Sequence, residues 1–157
     1  MTSIIPRRLK RFVLSSFVVL LFVSCSNENI PFSSGALTGD VTPSPASWVA
    51  ADSAEIIQLE TQSEGGEPYS VNLWMIGKPG WVYIYAGDTQ TEWVKNLEAN
   101  GKARLRIDTK LFDLQASRVT DQAEFDRFAL DWDQKYGSSR PQGSSINDVW
   151  LFRLFAN

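Results

Sequence analysis

Residues 81–101 read WVYIYAGDTQTEWVKNLEANG. The first six, Trp81 to Ala86, are a dense aromatic and β-branched run, the composition of a buried strand. Gly87 and Asp88 break it. Thr89 and Glu92 then stand at capping-box spacing, in which a side-chain oxygen satisfies an orphan helix N–H while the carboxylate reaches back. The helix so predicted runs to Asn100, and Gly101 supplies the left-handed residue that closes many helices. A strand that feeds a capped helix through a tight turn leaves backbone donors free at the helix start, where an anion can sit. This is the candidate ligand site.

Working outward, the alternation of apolar and polar residues marks five more strands. Residues 54–61 (AEIIQLET) form the first, and the Gly65-Gly66 loop follows. Residues 69–76 form the second, with Val71, Leu73 and Met75 on one face and Asn72, Trp74 and Ile76 on the other. Gly77-Lys78-Pro79-Gly80 is hairpin punctuation into the strand at 81. Residues 103–108 (ARLRID) turn inward Ala103, Leu105 and Ile107, and outward Arg104 and Arg106. Asp108-Thr109-Lys110 turns the chain into 111–119, and 149–155 is the last strand. A second helix begins at Thr120 or Asp121, where Asp121 and Glu124 repeat the capping-box spacing. Phe125, Phe128, Ala129, Trp132 and Tyr136 form its apolar stripe, read as core packing, and the opposite face carries Asp126, Arg127, Asp131, Asp133 and Lys135. The unit is mainly β with two helices, and six strands suggest a closed or nearly closed antiparallel barrel over residues 54–157.

The other end of the chain speaks of location. Four positive charges in PRRLKR (6–11) precede an apolar run, 12–23, about half the ~20 residues that a spanning helix needs. That is a secretory signal's layout. Leu21-Phe22-Val23-Ser24-Cys25 resembles a bacterial lipobox, with Phe22 where an aliphatic residue is usual. The resemblance makes 1–24 a lipoprotein signal peptide and Cys25 the lipidated residue that joins the chain to a lipid bilayer. Cys25 is also the one cysteine of the chain, which an acyl group would account for. Ser26 after it favours outer-membrane sorting, facing the periplasm, in a host with two membranes. Residues 25–53, rich in Ser, Gly, Pro, Asn and Thr, read as a lipidated Cys and flexible tether, with Trp48 to Ala51 as a short turn that docks on the domain.

Charge and composition exclude several functions. Four of the 15 Lys and Arg lie in the leader, which leaves eleven against 18 carboxylates and a formal charge of −7. Nucleic acid is therefore not an expected partner. There is no His. Imidazole acid–base catalysis, Ser-His-Asp triads and His-ligated metal or haem are all ruled out, and no metal site is expected.

The strand and helix order, with PYSVNLWMI (68–76), the strand 81–86 and the run Trp93-Val94-Lys95-Asn96-Leu97 with Asn100, resembles the split-barrel flavin-binding superfamily. That superfamily includes pyridoxamine-phosphate-oxidase-like proteins and deazaflavin-dependent nitroreductases. The resemblance covers 54–157 and implies a six-stranded antiparallel split β-barrel. It further implies a homodimer that binds a flavin or deazaflavin between its subunits. By position, Thr89, Thr91, Trp93, Lys95 and Asn96 would line the cofactor's phosphate end, and Trp74 and Tyr85 would flank its rings. Plainer readings stand beside these: Thr89 as a helix cap, Trp93 and Leu97 as the helix's docking face, Lys95 as a solvated charge. The family's basic grips are missing. Residues 62–69 hold two carboxylates and no Lys or Arg, and Thr91 is followed by Glu92 and Trp93 rather than by adjacent basic residues. Carboxylates near a phosphate oppose it. Lys78, Lys95, Arg104 and Arg106 are the remaining cations that could receive one. Two functions are expected in consequence. The first is a non-catalytic envelope lipoprotein that binds a small ligand or a partner, with no cofactor. The alternative is an FMN-dependent (less readily a deazaflavin-dependent) oxidoreductase. No side chain stands out as a catalytic acid or base.

Overall fold

The computed structural model describes residues 35–87, 90–137 and 145–156. Cys25 and Thr89 lie outside them. In chain order the elements are β1 (Asp40–Val41), β2 (Ile57–Gln62), β3 (Pro68–Leu73), β4 (Ile76–Gly77), β5 (Trp81–Ala86), α1 (Glu92–Asn100), β6 (Lys102–Ile107), β7 (Lys110–Arg118), α2 (Gln122–Tyr136) and β8 (Trp150–Phe155). Two 3₁₀ turns, Val49–Ser53 and Ile146–Asp148, complete the set.

Seven strands form an antiparallel path in the order β3-β2-β6-β7-β8-β5-β4, and β1 joins β7 in parallel. The expected six strands are all present, but the count among the described residues is eight. The strand expected over 69–76 is two strands, and these stand at opposite ends of the path with Trp74 and Met75 between them. The sheet therefore curls until its two ends meet at that link. The break has a local cause. Met75 N–H donates to the Tyr136 hydroxyl, and Met75 carbonyl accepts from Lys135 Nζ and from the same hydroxyl. Side chains of α2 thus take the backbone groups that a strand neighbour would have paired.

Alternation decides which side chains enter the barrel. Val71, Leu59, Leu105 and Phe112 lie in register across β3, β2, β6 and β7. With Val82, Ile84, Phe152 and Leu154 they belong to one core cluster, into which α1 inserts Trp93, Val94 and Leu97. A second cluster fills the space between the outer face of β5–β8 and α2, from Ile76, Tyr83, Leu151, Phe125, Phe128 and Trp132. β5 is apolar on both faces because both faces are covered.

The tether expected to reach Ser53 is folded from residue 35 onward. Leu37 and Trp48 are both buried. Residues 35–42 cross the outer face of the sheet: Leu37 N–H donates to the buried Glu60 carboxylate, Ser70 Oγ donates to Gly35 carbonyl (2.9 Å), and β1 lies on β7. The chain then wraps on, with Trp48 N–H bonded to Lys78 carbonyl (3.0 Å) and Gly77 N–H to Asp52 Oδ1 (2.7 Å). The turn expected to dock at Trp48 to Ala51 does so, whereas the polar composition around Leu37 hid a second apolar anchor, and the burial of a Trp and a Leu offsets the ordering of their neighbours. We call residues 35–54 the strap.

Candidate functional site

α2 is built as its sequence requires. Asp121 accepts from Glu124 N–H (2.8 Å), and Gly137 closes the helix at φ 57°. The stripe of Phe125, Phe128, Ala129 and Trp132 is buried, as expected. Its C-terminal part faces the β3–β4 link, and there an aromatic group assembles. Trp132 meets Tyr85 edge-on (centroids 5.0 Å apart, 77° between planes) and lies 5.7 Å from Trp74. Trp74 stacks on Tyr136 (5.2 Å, 21°) yet remains 50% exposed. These rings border a groove of about 240 Å³ lined by Ile56, Asn72, Leu73, Trp74, Tyr85 and Trp132. Trp74 and Tyr85, expected to flank one ring system, therefore do share one groove.

Lys135, expected on the solvated face of α2, instead turns inward. Its Nζ donates to Asp52 Oδ1 (3.0 Å), Ala54 carbonyl (3.1 Å) and Met75 carbonyl (2.8 Å), with the side chain 13% exposed. An ammonium with three oxygen partners is one that burial can tolerate. It ties the strap, the β3–β4 link and α2 together beside the groove. The signal for it was faint: Lys135 directly precedes Tyr136 and follows Trp132 by three residues, at the edge of the apolar stripe. Charge alone had placed it outside.

The start of α1 is different. The helix begins at Glu92 with Thr91 as N-cap, so the cap expected at Thr89 is displaced by two residues, and the Thr91 side chain makes no capping bond. Thr91 Oγ1 is buried without a hydrogen-bond partner. Trp93 is 3% exposed and meets Phe152 edge-to-face (5.9 Å). Asn96 is buried, its Nδ2 donating to Thr61 Oγ1 (3.0 Å). Lys95 is exposed beside Glu92 (3.5 Å). Trp93 and Asn96 hold the helix to the barrel, and neither lines the aromatic groove. The other cations are also engaged: Lys78 with Asp131, Arg104 with Asp113 (2.8 Å) and Glu60 (3.7 Å), Arg106 with Gln58 (2.6 Å).

Toward the N-terminal end of α2, Tyr83 donates to Glu124 Oε1 (2.6 Å), and Arg153 Nε stands 3.0 Å from the same oxygen. Burial, and then the bond to the carboxylate, push the Tyr83 phenol up to about 12.

No family model matches the chain, and no curated protein matches it. Solved structures do. A candidate 5-nitroimidazole antibiotic resistance protein from Bacteroides thetaiotaomicron superposes with a TM-score of 0.54 at 14% identity, over 68% of this chain and 75% of that one. A candidate pyridoxamine 5′-phosphate oxidase from Listeria innocua gives 0.53 at 13% identity, over 68% and 88%. A chain described as a domain-swapped dimer gives 0.54 at 17% identity, over 64% and 79%. At these identities the likeness is one of fold: this chain is mainly β with two helices, and its curled antiparallel sheet is consistent with a split barrel.

Proposed function

We propose that this protein is a non-catalytic split barrel whose aromatic groove binds a flat, largely apolar small molecule, and that a lipid on Cys25 holds it at the cell envelope, at the outer membrane where the host has two. The observation that carries the groove is Trp74: a half-exposed indole stacked on Tyr136 and facing Tyr85 and Trp132 offers a planar ligand a rigid aromatic wall. Among the described residues no cation lines that groove. The lipid anchor rests on the lipobox resemblance.

An FMN-dependent oxidoreductase is the second reading, favoured by the shared fold with the Listeria protein and by the pairing of Trp74 with Tyr85. In that reading a homodimer, as the resemblance implies, would enclose the cofactor. The residues present fit a flavin's rings but not its phosphate. Lys95 is tied to Glu92, Trp93 and Asn96 are buried in the core, and at α1 only the unpartnered Thr91 hydroxyl would be offered.

Riboflavin and FMN, which share their rings and differ by the phosphate, separate the two readings by fluorescence quenching. Equal affinities that both fall about ten-fold or more in Trp74→Ala support ring recognition alone. Markedly tighter FMN binding supports the oxidoreductase. Binding of neither, by a folded chain, removes the groove as a planar-ligand site.

A further inference from the structure

The aromatic groove holds one carboxamide among its rings. β3 alternates, with Val71 toward the interior cluster and Ser70 and Asn72 on the outer face, and Asn72 lines the groove two residues before Trp74. Asn72 is half-buried, and its amide meets no hydrogen-bond partner among the described residues. Gln58 stands opposite it on β2, but Gln58 Oε1 accepts from Arg106 Nε (2.6 Å). Among the described residues no charged side chain lines the groove, so a neutral ligand suits it. Its volume, about 240 Å³, falls below the roughly 300–1,000 Å³ of pockets for drug-sized molecules, which favours a small ring system.

An Asn carboxamide presents an N–H donor and a carbonyl acceptor side by side. It pairs best with an edge that carries one acceptor and one donor next to each other, as Asn does with adenine in the DNA major groove. A lactam ring, with N–H beside C=O, is such an edge, and it is flat and neutral.

We infer that the groove takes a neutral, planar heterocycle of about two fused rings that carries an adjacent N–H and C=O, and that Asn72 sets this preference. The inference rests on the groove being a planar-ligand site and adds which edge the ligand presents. Trp74 and Trp132 hold the rings, and Asn72 fixes their direction, the usual division of labour in small-molecule sites. A ligand without the N–H leaves the Asn72 carbonyl facing it unpaired and shielded from water.

2-Quinolone and N-methyl-2-quinolone test this, titrated against the full chain by quenching of tryptophan emission. They share rings and carbonyl and differ at the N–H. 2-Quinolone is expected to bind about three- to ten-fold more tightly. Asn72→Leu brings the two to equal affinity, whereas Tyr85→Phe, which removes the groove's phenol, leaves the preference in place. Equal affinities for the unaltered chain overturn the inference, and the groove reading survives if Trp74→Ala weakens both. A preference that persists in Asn72→Leu, or that disappears in Tyr85→Phe, overturns it equally. Saturable binding of neither compound overturns the inference and the groove reading together. Where Asn72→Leu fails to fold, Asn72→Val takes its place.

Discussion

Trp74 and Trp93 are the same side chain nineteen residues apart, each at the edge of a strand or helix that the sequence assigned to one ligand site. One is 50% exposed and the other 3%. Around Trp74, α2 brings up Trp132 and Tyr136, and the break at Met75 leaves the indole standing at the rim of a groove. Around Trp93, α1 sinks into the barrel, and its polar neighbours are used up: Asn96 on Thr61, Lys95 on Glu92. The difference teaches that an aromatic side chain keeps a free face only where the packing of its own element leaves one uncovered. Around α1 that packing is complete, and around the C-terminal part of α2 it is not.

The largest effect expected is that of Trp93→Ala. It removes a buried ring from the interior cluster and costs about 3–5 kcal/mol, read as a fall in the midpoint of denaturant unfolding. At a temperature where the variant remains folded, riboflavin binding is unchanged. A stable Trp93→Ala chain with lost binding would break the comparison.

Lys135→Met comes next. It leaves Asp52 and the carbonyls of Ala54 and Met75 without their shared donor, for a cost of about 1–3 kcal/mol. Unlike Trp93→Ala it also weakens groove binding, because the Met75 backbone next to Trp74 loses a tie. Equal loss of stability with binding intact would show that the link is held by Tyr136 alone.

Tyr83 sharpens the α2 side by pH. Its folded pKa lies above the free value of 10.0, at about 12. A group with a raised folded pKa adds stability that is fully present below the unfolded value and is lost as pH rises through the folded one. Stability on the alkaline side should therefore fall between pH 10 and about 12, and Tyr83→Phe should flatten that fall. Tyrosinate absorbance should show a phenol that ionises near pH 12, and a Tyr83→Phe chain that still shows it would reassign the shift.

Lys95→Glu is the smallest. The side chain is 56% exposed, and its ion pair with Glu92 spans one turn of helix, so stability should change within about 0.5 kcal/mol. FMN affinity should not change either. A clear loss for FMN and none for riboflavin would restore the phosphate site to α1.

Much of the barrel was legible in residues 54–157. Period-two alternation placed Ala103, Leu105 and Ile107 inward, and the α2 stripe of Phe125, Phe128, Ala129 and Trp132 with its cap at Asp121 is as the spacing predicts. The misreadings share a cause. The strand at 69–76 broke because Lys135 and Tyr136, some sixty residues later, take the Met75 backbone groups. Most of the strap looked like a tether, although Trp48 to Ala51 was expected to dock, because Leu37 is isolated within polar sequence and its partner Glu60 is far along the chain. Lys135 looked solvated because its three oxygen partners come from two other segments.

The sequence by itself determined the mainly β class with two helices, the apolar stripe of α2, the absence of histidine chemistry and the acidic charge, because each follows from local pattern or from counting. Which of seven proposed ligand residues stand at one opening was decided only in three dimensions. Exposure is set by what another segment covers, and the side chains of α2 and of the strap reach their partners across dozens of residues. So it is the packing that sends Trp93 inward and leaves Trp74 with a free face.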